Sequence, residues 1–106
     1  MLRFRRVKIG ELEIDDSALG QLCRRYGVRR LSVFGSRARG DAGPGSDVDV
    51  LVEFEEGRRI GLRFISLQDE LANLFGRPVD LCTRGFLSPH FRERVVLEAV
   101  PLYEAA

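Results

Sequence analysis

Two aspartates one residue apart, Asp47 and Asp49, open the alternating stretch DVDVLVEF. In an extended chain a period of two turns both carboxylates to the same side, a few ångströms apart. Like charges that close repel unless a cation lies between them, so the pair is a candidate divalent-metal site. The plainer reading is a half-buried strand with an acidic wet face, and for an isolated D-x-D it outweighs the metal. Two further features bear on the choice. Asp80 sits in a short apolar run, Val79 to Cys82, where an acid is costly unless paired, hydrogen-bonded or metal-bound. Gly35-Ser36 stand where an apolar run gives way to turn residues. Glycine lets backbone approach a ligand, free N–H groups at such a junction attract phosphate, and the hydroxyl adds a hydrogen bond. Alone, a Gly-Ser dipeptide marks only a turn. Together, three carboxylates and a phosphate-binding turn are the parts of a two-metal site for in-line displacement at phosphorus.

The elements that must position these residues are legible as patterns. VKIGELEI, residues 7–14, alternates weakly and suggests a short strand or hairpin. Asp15 and Asp16 are N-cap candidates for a helix in which Ala18, Leu19, Leu22, Cys23 and Tyr26 recur at helical spacing until Gly27. Leu31 to Phe34 reads as a buried strand. The glycine-rich run from Gly35 to Asp47 is mostly turn, with at most one helical turn after Ser36. Asp47 to Phe54 is a strand with Val48, Val50, Val52 and Phe54 on one face, and Asp47, Asp49, Leu51 and Glu53 on the other. An amphipathic helix is expected over 60–75, closed by Gly76 and Pro78, then a strand over 79–82. A last helix over 88–99 has Ser88 as cap and Pro89 at its first position, and Val100 to Tyr103 can add a strand. This order gives an α/β (α+β) domain, a small mixed β-sheet flanked by helices. A βαβ-like connection through residues 60–75 would lay Asp80 beside the Asp47-Asp49 pair.

Gly35-Ser36, ten intervening residues and Asp47-x-Asp49 resemble the G-S-x10-D-x-D signature of the polymerase-β-type nucleotidyltransferases. The fuller run GSRARGDAGPGSDVDVLVEF is similar to their minimal prokaryotic branch, the MNT-domain proteins, through Asp80 to EAVPLYE; the opening fourteen residues lie outside the resemblance. It implies a nucleotidyltransferase fold in one domain, residues 1–106, with 1–14 as an N-terminal extension. It further implies that Gly35 and Ser36 hold the triphosphate and that Asp47 and Asp49 bind two Mg2+ ions. Asp80 would complete the catalytic metal site and help deprotonate the incoming hydroxyl. Arg37 and Arg39 could touch phosphate or partner, or be solvated turn residues. Ser46 could bond the nucleotide or cap a turn. Glu53 borders the site.

A chain of 106 residues leaves room for a catalytic sheet and little else, so another subunit or molecule must present the acceptor, and a homo- or hetero-oligomer is open. The MNT resemblance implies the antitoxin of a toxin–antitoxin pair, transferring AMP from ATP to a tyrosine of a HEPN-domain toxin. Rival readings are an antitoxin that masks its partner by binding without catalysis, and nucleotidyl transfer to a small molecule. The missing substrate domain argues against the latter. Residues 1–40 carry ten Arg or Lys against four acids, and residues 41–106 seven against twelve; the basic end is either an interface or a solvated surface. Near-neutral net charge without aromatic-basic interleaving speaks against nucleic-acid binding. No apolar run approaches the ~20 residues of a membrane span, nor does a signal peptide appear, so a cytoplasmic location is expected. Cys23 and Cys82 lack the spacing of a zinc site and read as buried thiols. The single His90 reads as solvated or structural.

Overall fold

The computed structural model describes residues 6–9, 12–35, 47–57 and 59–105, with side chains described from residue 13 onward. Strands β1 (Arg6–Ile9) and β2 (Leu12–Asp15) form an antiparallel hairpin, in line with the weak alternation of this segment. The main sheet has four strands in the order β5-β4-β3-β6. Its centre is β3 (Val28–Phe34), antiparallel both to β4 (Val48–Phe54) and to β6 (Val100–Glu104). β5 (Val79–Cys82) runs parallel to β4 at one edge. Helices α1 (Asp16–Tyr26), α2 (Arg63–Phe75) and α3 (Pro89–Glu98) complete a mixed α/β architecture, with a 3-10 turn at Arg84–Phe86. Among the described residues no helix is long and apolar enough to cross a membrane.

Local chemistry sets the helix ends. The Asp15 carboxylate accepts from the backbone N–H of Ser17 at 3.0 Å and of Ala18 at 3.2 Å, opening α1. Gly27, at φ 70°, closes it in the left-handed conformation that glycine alone adopts freely. Ser88 caps α3, with Pro89 at its first position. α2 begins at Arg63, not at Ile60, because Gly61 stands at φ 53° and interrupts the helical path. The turn is bridged instead by bonds from Arg63 N to Ile60 O and from Phe64 N to Gly61 O. β3 begins three residues before the expected Leu31. Val28 pairs with Phe54, and Arg30 with Glu53 and Glu104, so neighbours on both sides extend the strand through exposed arginines.

Alternation along β4 divides the sheet as expected. Val48, Val50 and Val52 are buried against Leu67, Leu71 and Phe75 of α2 and Leu19 and Cys23 of α1; each such side chain contributes about 1.5–3 kcal/mol. Ile14 of the hairpin joins this core. The opposite face is only partly wet. Leu51 and Phe34 pack with Leu87 and with Val95 of α3 in a second, smaller core. Cys23 is buried as expected, but Cys82 is only half-buried, because its strand lies at the sheet edge and its side chain falls on the acidic face. His90 is exposed.

Candidate active site

The crossover through α2 lays β5 beside β4 in parallel, and the register sets Asp49 directly opposite Asp80. Paired residues of adjacent strands point to one face, with backbones roughly 4.8 Å apart. On the other side of β4, Asp49 is opposite Phe34, the residue before Gly35. Gly35 stands at φ 73°, and a Cβ placed on it would collide with Asp49 Oδ2 and lie 3.3 Å from Asp49 Cγ. The backbone turn at the end of β3 therefore presses against the carboxylate, a close approach only glycine permits. Asp47 is exposed and stands one residue ahead of β4, whose first N–H, that of Val48, donates to Pro78 O at 2.9 Å.

Asp80 is exposed. The expectation that burial makes this acid costly is thus corrected: its strand alternates, Val79 and Leu81 being buried in the main core while Asp80 faces solvent. Cys82 lies two residues on, its Sγ 4.0 Å from Asp80 Oδ1. Burial raises this thiol's pKa, and the charges of Asp80 and then Asp49 raise it further, so both carboxylates act on one neighbouring atom. Strand spacing alone puts Cys82 on this face; its apolar sequence context points to the core instead.

Not every expected member joins. Among the described residues no three His, Cys, Asp or Glu side chains lie close enough together to hold a metal ion by themselves. The structure brings together Asp49 with Asp80, and Gly35 with Asp49. Ser36, Arg37, Arg39 and Ser46 lie outside the described residues. Glu53 is taken up elsewhere: it faces Arg84 at 3.7 Å and Arg30 at 4.0 Å, and Arg30 also reaches Glu104 at 3.2 Å. Phe91, which no sequence signal marks, packs edge-on against Phe34 at 6.5 Å and is about half exposed. It forms a wall one residue from the Gly35 turn. Two carboxylates in register beside a glycine turn can share a divalent cation with an anionic ligand whose oxygens complete its shell.

Comparison with known proteins agrees with this architecture. Residues 16–103 match the nucleotidyltransferase domain family. The protein adenylyltransferase MntA of Thermococcus cleftensis is 44% identical over 80 residues, covering 76% of this chain and 80% of that protein. A candidate protein adenylyltransferase of Methanocaldococcus jannaschii is 41% identical over 76 residues, 72% of this chain and 81% of that one. Among solved structures, a candidate minimal nucleotidyltransferase superposes with a TM-score of 0.68 at 45% identity, over 81% of this chain and 87% of its own. A toxin–antitoxin complex solved with AMP-PNP shares the fold at a TM-score of 0.67 and 22% identity, over 85% and 73% of the two chains. An MNT antitoxin solved with the tri-AMPylated HEPN toxin of Shewanella oneidensis shares it at 0.59 and 20%, over 85% and 70%. With the family match spanning nearly the whole chain, this protein belongs to the nucleotidyltransferase domain family and is a nucleotidyltransferase.

Proposed function

We propose that the chain transfers AMP from ATP to a tyrosine hydroxyl of a HEPN-domain toxin in the presence of Mg2+, and so serves as the antitoxin of a toxin–antitoxin pair. The observation that carries this reading is the pairing of Asp49 with Asp80 across β4 and β5, with the Gly35 turn against Asp49. Two supports are independent of it. Relatives above 40% identity bear the name protein adenylyltransferase, and a protein of the same fold was solved with an AMPylated HEPN toxin.

Asp47, Asp49 and Asp80 would hold the metal ions. The donor set suits Mg2+, which is usually bound through one or two carboxylates plus substrate phosphates and seldom by an all-protein cage. When bound, Mg2+ neutralises charge on the phosphates and favours the ionised form of the attacking hydroxyl. Gly35 and Ser36 take the triphosphate at the end of β3, where the backbone comes close without a side chain in the way. Asp80, exposed on the edge strand, would accept the proton of the incoming hydroxyl. The tyrosine oxygen bonds to the α-phosphorus as the bond to the β-phosphate oxygen breaks, and pyrophosphate leaves with that electron pair. Arg37 and Ser46 are assigned to the nucleotide.

The test combines the purified chain, ATP, Mg2+ and a purified HEPN partner, with intact mass as readout. The partner gains AMP units, chelation by EDTA stops the gain, and the partner's Tyr→Phe variant receives none. Asp49→Asn keeps affinity for the partner but transfers no AMP. A partner that binds and is silenced without any change in mass refutes catalysis and leaves masking as the mode of action.

A further inference from the structure

The backbone N–H of Leu81 donates to the side-chain Oε1 of Gln68 on α2 at 3.0 Å. β5 is an edge of the four-stranded sheet, with β4 on one side only. Edge strands present backbone donors that no neighbouring strand accepts, and Gln68 takes this one. Its oxygen comes from a rigid support, because the flanking Leu67 and nearby Leu71 are fully buried in the main core.

The location of this bond gives it a consequence beyond satisfying one donor. The Asp80 carbonyl and the Leu81 N–H belong to a single planar peptide unit. Rocking that plane shifts the carbonyl carbon of Asp80, and so tilts the Cα–Cβ bond on which its carboxylate is carried. The side chain itself is exposed, so packing does little to steady it. Where it stands relative to Asp49, its register partner, therefore depends on the backbone, held by β4 on one side and by Gln68 on the other.

We propose that Gln68 is a positioning residue for nucleotidyl transfer: by fixing the Asp80–Leu81 peptide it sets where the Asp80 carboxylate stands relative to Asp49. The inference rests on the reading of Asp80 as a reacting-site carboxylate. Gln68 acts from the sheet edge, through the backbone, without touching the reacting atoms.

The test uses the full chain with Gln68→Leu, which keeps volume and helix propensity but offers no acceptor, and Gln68→Glu, which retains one. In Gln68→Leu the Leu81 amide exchanges with deuterated solvent roughly tenfold faster or more, read by NMR. Its kcat falls by about 10- to 100-fold, as expected for a misplaced reacting group, while KM for ATP changes little. Gln68→Glu restores both the protection of Leu81 and most of kcat. Asp80→Asn, measured alongside, separates the two levels. If Asp80→Asn turns over like the unaltered chain, the role of Asp80 is wrong and the positioning role goes with it. If Asp80→Asn is inactive while Gln68→Leu has normal kcat, the positioning role is overturned and the proposed function stands. The positioning role is equally overturned if Leu81 exchange is unaltered in Gln68→Leu, or if Gln68→Glu restores neither measurement.

Discussion

Replacing Gly35 by alanine probes the contact on which the candidate site turns, and its effect can be worked out in two parts. The first is backbone strain. At φ 73° an alanine pays the left-handed penalty of roughly 1–2 kcal/mol, partly offset by a less flexible unfolded chain. Gly57, at φ 82° with nothing within 4 Å of its would-be Cβ, incurs the same and nothing more. Gly57→Ala is therefore the reference. The second part belongs to Gly35 alone. Its new methyl collides with Asp49 Oδ2, so the carboxylate must leave its rotamer, at about 0.5–1.5 kcal/mol. The difference between the two variants is then about 1 kcal/mol, or roughly 4–8 °C in Tm for a domain of this size. The catalytic difference is larger. Gly35→Ala should lose about 100-fold in kcat, since an ångström of misplacement is enough for that, whereas Gly57→Ala should stay near the original rate. Thermal melts and steady-state AMP transfer measure both quantities. A further arm uses Asp49→Ala, in which only the ordinary 3.5 Å contact to Cβ remains; there Gly35→Ala should cost no more than Gly57→Ala. Equal losses for the two glycine variants in the original background would show that Gly35 and Asp49 are not in contact, and the reasoning would fail.

Other consequences follow from groups outside that contact. Burial pushes the Cys23 thiol up to about 12, so about one molecule in ten thousand carries the thiolate at pH 8. Iodoacetamide should then alkylate the half-buried Cys82 in the native protein and reach Cys23 only on unfolding, as read by peptide mass. The same shift sets a pH dependence. The unfolded thiol ionises near its ordinary 9.0 while the folded one keeps its proton to about 12. Its stabilisation is whole below pH 9 and is lost as pH rises through that window, at up to about 1.4 kcal/mol per unit. Urea melts from pH 8 to 11 should show a shallower decline in Cys23→Ala, and equal slopes would contradict the assignment. Glu53→Gln should retain transfer activity within a few-fold and lose less than about 1 kcal/mol, because Glu53 is engaged by Arg30 and Arg84 in partly exposed pairs. Tyr26→Phe removes the hydroxyl that donates to Glu70 between α1 and α2. It should lower Tm by several degrees without altering kcat, since this contact lies on the apolar side of the sheet.

How much of this is legible in the sequence depends on whether the deciding interactions are local. Caps and stops are local, so Asp15, Gly27, Gly76 and Ser88 mark the helix ends correctly. Alternation is local too, and it separates Val48, Val50 and Val52 from Asp49 and Leu51. The failures are non-local. Arg29 and Arg30 look like loop residues until β4 and β6 flank them and draw them into β3. Asp80 stands out in the sequence for a burial it does not have, whereas its place beside the aspartate pair follows from the βαβ-like connection, as the structure bears out; only the residue-for-residue pairing with Asp49 is left to a register between distant segments. The contact between Gly35 and the Asp49 carboxylate is of the same kind, being an approach of two strand ends in space.

The deepest gap concerns which part of the acidic face stays open. Strand periodicity assigns Asp49, Leu51 and Glu53 to one side and treats them alike. The structure gives each a different fate. Leu51 is sealed beneath Leu87 and Val95, Glu53 is tied to Arg84 and Arg30, and Asp49 remains partly accessible beside Gly35. A third segment makes the difference: Arg84 to Glu98 folds back over the sheet from the end of β5. Because that segment covers the C-terminal half of β4, the carboxylates at its N-terminal end keep their access to solvent. In the proposed reaction, a hydroxyl arriving from solvent would find its open path at the end of the sheet where Asp49 stands opposite Asp80 beside the Gly35 turn. Phe91, near the start of α3, packs edge-on against Phe34 and stays about half exposed, so it borders this end of the sheet one residue from the Gly35 turn.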